Sequence, residues 1–311
     1  MASNSSRRMM SLTLRFEAIA SAIGEHPALE SADVVLLNEV DLGMARTANR
    51  HVARELAERW GMYWVFAPAH IELTKGVGAE LDAPGENAVG LQGNAILSRH
   101  PLRAPRVVSL PVCFEPYHFH EKRYGRRVGI LVRVETAGGP VTFAGTHLEV
   151  RNDPACRARQ ARALLAAIPR GERALVAGDL NVSTFSRGTF ARTVRGVSRL
   201  LGDIDRLRAS LVDPSAYEPL FLELRRAGFR TEGWNTAEAT IVERLDALED
   251  VEHLPGPVRA PLMRRLERHE GELPMRLDWF AGRGLLPRDP RTVRGLEASD
   301  HDPITVEVVV Q

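Results

Sequence analysis

Short apolar runs of strand length recur along the chain, at 33–38 (DVVLLN), 62–66 (MYWVF), 94–98 (NAILS), 127–134 (RVGILVRV), 141–144 (VTFA), 174–177 (ALVA), 276–280 (RLDWF) and 304–310 (ITVEVVV). Each is too short for a buried helix and long enough for a strand. Between them lie stretches of helical spacing: about 12–24, about 48–60, 154–168 with Pro154 near the first helical position, and 217–227 closed by Gly228. These helices do not alternate strictly with the strands, so sheets covered by helices fit better than a doubly wound parallel sheet. There is no internal repeat, low-complexity tract or linker, and 1–311 reads as one domain. It carries a glycine-rich surface loop at 74–92 and a charged, helix-prone insertion at about 237–272 that contains Pro255, Pro257 and Pro261.

Composition sets limits on what such a domain can do. With 44% hydrophobic and 26% charged residues the chain can build a core, which excludes disordered, collagen-like and coiled-coil classes. A net charge of +1 gives no bulk attraction to DNA, RNA or an anionic membrane, so a polyanion has to be met locally. Lys75 and Lys122 are the only lysines among 41 cations, and the arginine excess reads as a compositional bias. Cys113 and Cys156 sit in no zinc spacing and form no disulfide framework, so both are expected to be reduced thiols. The Ser6-Arg7-Arg8 start has a passing likeness to a twin-arginine export signal, but Arg15 and Glu17 interrupt the apolar run such a signal needs. A cytoplasmic protein is expected, with no transmembrane segment and no stable protein partner indicated.

Four strand ends carry chemistry. An acid follows an apolar run at Leu36-Leu-Asn-Glu39, a histidine at Gly145-Thr-His147 and an Asp/Asn pair at Gly178-Asp179-Leu-Asn181, and an acid stands beside a histidine at Ser299-Asp300-His301-Asp302-Pro303, just before the last strand. Singly each has an ordinary structural explanation, such as a turn, a cap or a core histidine. Together their carboxylate and amide oxygens suit a hard cation, Mg²⁺ or Mn²⁺, that keeps waters and takes a phosphate ligand. In extended chain Asp179 and Asn181 point the same way while Leu180 packs beneath.

These residues lie in six ordered motifs: LLNE (36–39), GNAILSR (93–99), THL (146–148), GDLN (178–181), RLDWF (276–280) and SDHDP (299–303). Their order resembles that of the endonuclease/exonuclease/phosphatase superfamily, which includes DNase I-like nucleases and neutral sphingomyelinases. The resemblance implies an α/β fold, a four-layer α/β sandwich of two packed, mostly antiparallel sheets flanked by helices. It implies metal ligation by Glu39, with Asp300 as a second acid near the metal, and a nucleophilic water oriented or deprotonated by Asp179 beside Asn181. It further implies phosphoryl contact or base chemistry by His301, oriented by Asp278, and leaving-group protonation by His147, with Asn94 as hydrogen-bonding support.

Members of the superfamily usually begin with a strand ending in a Trp-Asn or Tyr-Asn turn. Here the nearby asparagine is Asn4, with no apolar strand before it. The expectation is a reading-frame start placed inside the true one; otherwise the first strand is lacking, and an unpaired sheet position and weaker metal binding follow. For substrate contact the candidates are Lys122, Arg123, Arg126 and Arg127, interleaved with Tyr117, His118, Phe119, His120 and Tyr124. Arg151, Arg157 and Arg159, beside the His147 strand, could add contacts, but read more readily as an exposed helix face. The expected activity is Mg²⁺-dependent hydrolysis of a phosphoester, most readily a phosphodiester of nucleic acid or of a small or lipid molecule. The alternative is a phosphoester-binding module whose catalysis is impaired by loss of the N-terminal metal-binding strand.

Overall fold

The computed structural model describes residues 25–115, 117, 122–150, 154–182, 202, 204–244, 256, 257, 260, 261, 264, 272–296 and 299–310. The helix expected at about 12–24 lies outside the described residues, as do His118, Phe119, His120, Arg151 and most of 245–271.

The first half builds α1 (Pro27–Glu30), β1 (Val34–Leu42), α2 (Val52–Trp60), β2 (Tyr63–Glu72), β3 (Leu91–Ser98), β4 (Arg103–Ser109), β5 (Arg123–Gly125), β6 (Val128–Thr136) and β7 (Gly139–Thr146). Then follow α3 (Pro154–Ala166), β8 (Ala174–Asp179), α4 (Ile204–Val212), α5 (Pro219–Arg226), β9 (Ile241–Arg244), β10 (Glu272–Met275), β11 (Asp278–Arg283), β12 (Leu285–Thr292) and β13 (Ile304–Val310). One sheet has the order β1-β3-β2-β5, the other β11-β8-β7-β6-β4, and β9/β10 and β12/β13 form two-stranded ribbons. Among the described residues every strand pairing is antiparallel except β7 with β8, the pair that α3 bridges. A parallel pair needs a crossover of this kind.

The apolar run of β6 shows how the layers stack. Ile130, Val132 and Val134 pack with Phe143, Leu175, Ala67 and Ile96 in the core between the two sheets. Leu131, one residue out of phase, joins Ala144 and Val176 against Leu164 of α3 and Leu220 and Phe221 of α5. A strand buried on both faces reads as a continuous apolar run for this reason. On the opposite side Ala53, Leu56 and Ala57 of α2 cover Val40, Ala95 and Leu97 of the first sheet. The order of layers is therefore helix, sheet, sheet, helix, as expected. His51 Nδ1 caps α2 by accepting from the Arg54 N–H, and Gly61 at φ 65° ends it in the left-handed region.

Three expectations are corrected. Cys113 and Cys156 are joined in a disulfide with Cα atoms 6.1 Å apart, which ties the segment after β4 to the first turn of α3. Folding brings together two thiols that are 43 residues apart, a proximity that spacing does not reveal. Arg157 is not on an exposed face: it is fully buried and ion-paired with Glu218 at the start of α5. The segment read as a helix-prone insertion enters and leaves as strands, with β9 and β10 pairing from Ile241 opposite Met275 to Arg244 opposite Glu272. Among the described residues no helix is long and apolar enough to cross a membrane.

Candidate active site

The strand ends that carry the polar motifs converge at one end of the sandwich. Between Leu37 and Val40 the β1–β3 register shifts, and Glu39 adopts φ 53°. This bulge re-aims the side chain, as bulges do beside functional sites, and leaves the Glu39 carboxylate half exposed at the cleft. Asp179 closes β8 directly opposite Asp278, the first residue of β11. The glycine before it is required: at Gly178, with φ 136°, a Cβ would lie 1.9 Å from the Thr146 carbonyl oxygen. The resulting close approach of β7 and β8 sets His147 beside Asp179.

Asp179 is buried and doubly held. Its Oδ1 accepts from the Asn181 N–H at 2.9 Å and its Oδ2 from Asn181 Nδ2 at 3.1 Å, while Nδ2 also donates to the Leu148 carbonyl at 3.0 Å. Asn181, at φ 51°, takes the left-handed conformation that asparagine tolerates. Burial, followed by the negative charge of Asp278, pushes the Asp179 carboxyl up to about 7. His301 Nδ1 lies 2.7 Å from Asp278 Oδ2. Burial by itself would lower His301, but the hydrogen bond and charge of Asp278, with Asp179 and Asp300 adding, carry it up to about 10. His147 is the opposite case. It is buried, with Nδ1 3.7 Å from Glu39 Oε1 and Nε2 3.4 Å from Asp179 Oδ2. Burial and then the Arg127 guanidinium hold it well below the ordinary histidine range, so it is neutral.

A cavity of about 1700 Å³ takes in Glu39, His147, Asp179, Asn181, Asp278, Asp300 and His301 together with Arg123 and Arg127. Arg127 is buried, its Nε without a hydrogen-bond partner among the described residues and 3.8 Å from Glu149 Oε2. Arg126, its neighbour on the other side of the chain, is exposed and is not among the residues that line this cavity. Asn94 is buried, donates to the Val128 carbonyl at 3.0 Å, and borders a small adjoining pocket with Glu39, His70, Gln92, Arg127 and His147.

Two supporting residues escaped the sequence reading. Asn38, with its carboxamide oriented to satisfy its neighbours, accepts from the Asp179 N–H at 2.9 Å and donates to Asn94 Oδ1 at 3.2 Å. Its one signal was its place beside Glu39. Thr240 is buried; its Oγ1 accepts from the N–H groups of Leu277 and Asp278, and its carbonyl accepts from the Asp302 N–H. It thus fastens Asp278 and Asp302, the neighbour of His301, from a stretch whose sequence reads as a charged, helix-prone insertion.

Among the described residues no cluster of three or more His, Cys, Asp and Glu forms a cage for a metal ion. Mg²⁺ does not need one, because it binds through one or two carboxylates and keeps its remaining positions for water and phosphate oxygens. Glu39 and Asp300, both exposed at the cleft, fit that requirement. The raised Asp179 carboxyl, crowded by Asp278 and Glu39, marks an excess of negative charge that a cation relieves.

The family model described as "Endonuclease/Exonuclease/phosphatase family" matches residues 8–301. A search of curated proteins gives no match. Among solved structures, an endonuclease/exonuclease/phosphatase from Beutenbergia cavernae DSM 12333 is similar at 19% identity and a TM-score of 0.54, over 95% of this chain and 66% of that one. A family protein from Leptotrichia buccalis C-1013-b aligns at 13% identity and a TM-score of 0.54, over 96% of this chain and 94% of its own. D. rerio TDP2, crystallised with a single-strand DNA product, aligns at 15% identity and a TM-score of 0.51, over 96% and 94%.

Proposed function

The chain belongs to the endonuclease/exonuclease/phosphatase family, and from that premise we propose that it is a Mg²⁺-dependent phosphodiesterase in which Asp179 activates the attacking water. The observation that carries this reading is the pairing of a buried carboxyl raised to about 7 with a histidine raised to about 10 in one cleft. Environments that push two titratable groups apart in this way separate the base from the acid.

Asp179 accepts the proton of the water, and Asn181 fixes the direction of its carboxylate. His301, protonated across the neutral range and held by Asp278, donates toward the phosphoryl group and then to the leaving oxygen. His147 is neutral and therefore a poor proton source; its role is to orient Asp179 and to donate one N–H within the cleft. Arg127, and Arg123 beside it, face the cleft as the cations nearest an anionic substrate. Glu39 and Asp300 would hold the divalent ion, which would supply charge neutralisation at the phosphoryl oxygens. The Cys113–Cys156 disulfide sits better with an oxidising compartment than with the cytoplasm expected from the sequence.

The test is hydrolysis of bis(p-nitrophenyl) phosphate, single- and double-stranded DNA, RNA, sphingomyelin and inositol phosphates with Mg²⁺ or Mn²⁺. Metal-dependent turnover that Asp179→Asn lowers by roughly 10²- to 10⁴-fold supports the reading. Phosphoester binding without turnover by the unaltered chain replaces it with the binding-module alternative.

A further inference from the structure

The inner face of the first sheet changes character as it nears the candidate active site. Along β3 it carries Ile96, then Asn94 and Gln92; along β2 it carries Val65 and Ala67, then His70 and Glu72. The change of phase on β2 comes from the register shift between Pro68 and His70, a bulge that turns His70 and Glu72 inward and leaves Ile71 and Leu73 exposed. Gln92 stands opposite His70 in the ladder, and β5 follows on the other side with Gly125 opposite His70 and Arg123 opposite Glu72. Polar side chains thus replace apolar ones at the end of a buried layer, where each polar atom needs a partner.

Two of these atoms have none. His70 and Arg127, each 5% exposed, present Nδ1 and Nε without a hydrogen-bond partner among the described residues, and both side chains line the small pocket that adjoins the cleft. The amides on the same wall are engaged: Asn94 with the Val128 carbonyl and with Asn38, and Gln92 Oε1 as acceptor from Arg123 Nη1 at 3.5 Å. The charges are matched as well, with Arg127 Nε 3.8 Å from Glu149 Oε2 and Arg123 Nη1 3.7 Å from Glu72 Oε1. Burial beside two guanidinium groups keeps His70 neutral. A second phosphate or a carboxylate would therefore bring an uncompensated charge into the pocket. Its volume of about 10 Å³ has room for one oxygen-sized group. Arg127 Nε–H only donates, whereas a nitrogen of a neutral imidazole donates or accepts according to its tautomer. A hydroxyl group meets both; a methylene in the same place leaves both nitrogens unpaired.

Position decides what that hydroxyl belongs to. The polar side chains of the cleft follow one another in the order His301, Asp278, Asp179, His147, Glu39. Glu39 and His147 border both cavities, so the pocket joins the row at the end away from His301 and receives the part of a substrate next to its phosphorus. We propose that His70 and Arg127 form a hydroxyl-recognition subsite, and that the substrate is a phosphodiester of a hydroxylated alcohol, a ribose or a smaller polyol, whose free hydroxyl beside the scissile ester displaces water from this pocket. The inference rests on the phosphodiesterase reading. It makes His70 a specificity residue: a ribose is preferred to a deoxyribose without any base being read, and a substrate lacking the hydroxyl forfeits the pairing of two buried nitrogens.

Two matched pairs of compounds test this with Mg²⁺ present: the ribose dinucleoside phosphate of uridine against its deoxyribose counterpart, and glycerophosphocholine against propylphosphocholine, which lacks the hydroxyls. For the unaltered chain kcat/KM is expected to favour the hydroxylated member of one pair or both by about 10²-fold or more, and the pair that shows the preference separates ribose from polyol as its source. His70→Phe, which fills the pocket without a polar atom, is expected to cut the preference by about tenfold or more, slowing the hydroxylated member more than its partner. His70→Asn, which keeps a polar atom near the place of Nδ1, is expected to retain most of it. If the phenylalanine variant fails to fold, His70→Leu is read in its place. Equal kcat/KM within both pairs, or a preference that His70→Phe leaves intact, overturns the subsite while phosphodiester turnover stands, and assigns the pocket to a resident water only. If no compound is turned over, the phosphodiesterase reading fails by itself, and equilibrium binding of the same pairs decides the subsite by the same ratios.

Discussion

His70 shows how a single residue links the site to stability. It is buried on β2 beside the candidate active site, its Nδ1 has no partner among the described residues, and it borders the small cavity shared with Glu39, Gln92 and Arg127. Burial, then the charges of Arg127 and Arg123, lower its pKa to about 3. The unfolded chain takes up a proton at His70 below pH about 6.5, and the folded chain does not until about 3, so the contribution of His70 weakens folding as pH falls through that window, against the opposite contribution of the raised Asp179 carboxyl. The loss is about 1.4 kcal/mol per pH unit, or about 2 kcal/mol at pH 5. His147, lowered for the same first reason, adds to the slope. His70→Gln is expected to flatten the change in urea midpoint between pH 7 and pH 5; an unchanged slope in the variant would show that His70 is not the source. The Asp278–His301 pair predicts a different outcome, loss of chemistry without loss of fold. Asp278→Asn removes the charge that orients and holds the imidazolium at 2.7 Å, and kcat is expected to fall roughly 10²-fold or more while the thermal midpoint moves little. A kcat within a fewfold of the unaltered chain removes Asp278 from the mechanism.

At the scale of elements, what was legible followed strand chemistry. The runs at 94–98, 127–134, 174–177 and 304–310 were visible because strands buried on one or both faces are apolar, and Glu39, His147, Asp179, Asp300 and His301 were visible because each lies within a few residues of the end or the start of such a run. β4, β5 and β12 were not. β4 carries Pro105, and β12 carries Pro287 and Pro290; proline argues against a strand in the interior of a sheet but is tolerated at edges and bulges. β4 is an edge strand with a register shift between Arg103 and Arg106, and β12 has one between Arg288 and Arg291. Thr240 was hidden for a related reason, since a lone threonine in a charged stretch has no spacing that marks it as a buttress. The buried Arg157–Glu218 pair between α3 and α5 was equally silent, because an arginine on a helix reads as solvent-facing until its partner 61 residues away is known. Burial raises Glu218, and Arg157 only partly offsets this. Removing one partner leaves an uncompensated buried group, so Glu218→Leu alone is expected to destabilise by about 3–5 kcal/mol in denaturant unfolding. Combining it with Arg157→Met is expected to recover most of that loss, and a double variant as unstable as the single one contradicts this account.

For the whole molecule, the sandwich brings the candidate site residues to one end and leaves stability to be secured elsewhere. The strand ends that supply Glu39, His147, Asp179 and Asp278 are held by two sheets packed on a shared core. The face bearing Arg123 and Arg127 follows the segment that the Cys113–Cys156 disulfide anchors to α3. Gln160 of α3 strengthens that anchor by donating to the Pro111 carbonyl at 3.0 Å and accepting from the Glu149 N–H at 2.9 Å. It thereby connects the disulfide-bound segment to the loop that carries His147. Closing a loop of 43 residues removes chain entropy from the unfolded state worth about 4 kcal/mol by the loop-closure relation. Cys113→Ser with Cys156→Ser is therefore expected to lower unfolding free energy by about 2–4 kcal/mol under non-reducing conditions, and to match the unaltered chain once that chain is fully reduced. Because the bond also fixes the segment leading into Arg123 and Arg127, KM for a phosphodiester is expected to rise more than kcat falls. The measurements are paired denaturant titrations with and without reductant and steady-state kinetics on the double variant. Equal stability of the oxidised chain and the variant would mean that the disulfide only records proximity already enforced by Gln160 and the helix packing. A fall in kcat at constant KM would place its effect at the strand ends instead of at the cationic face.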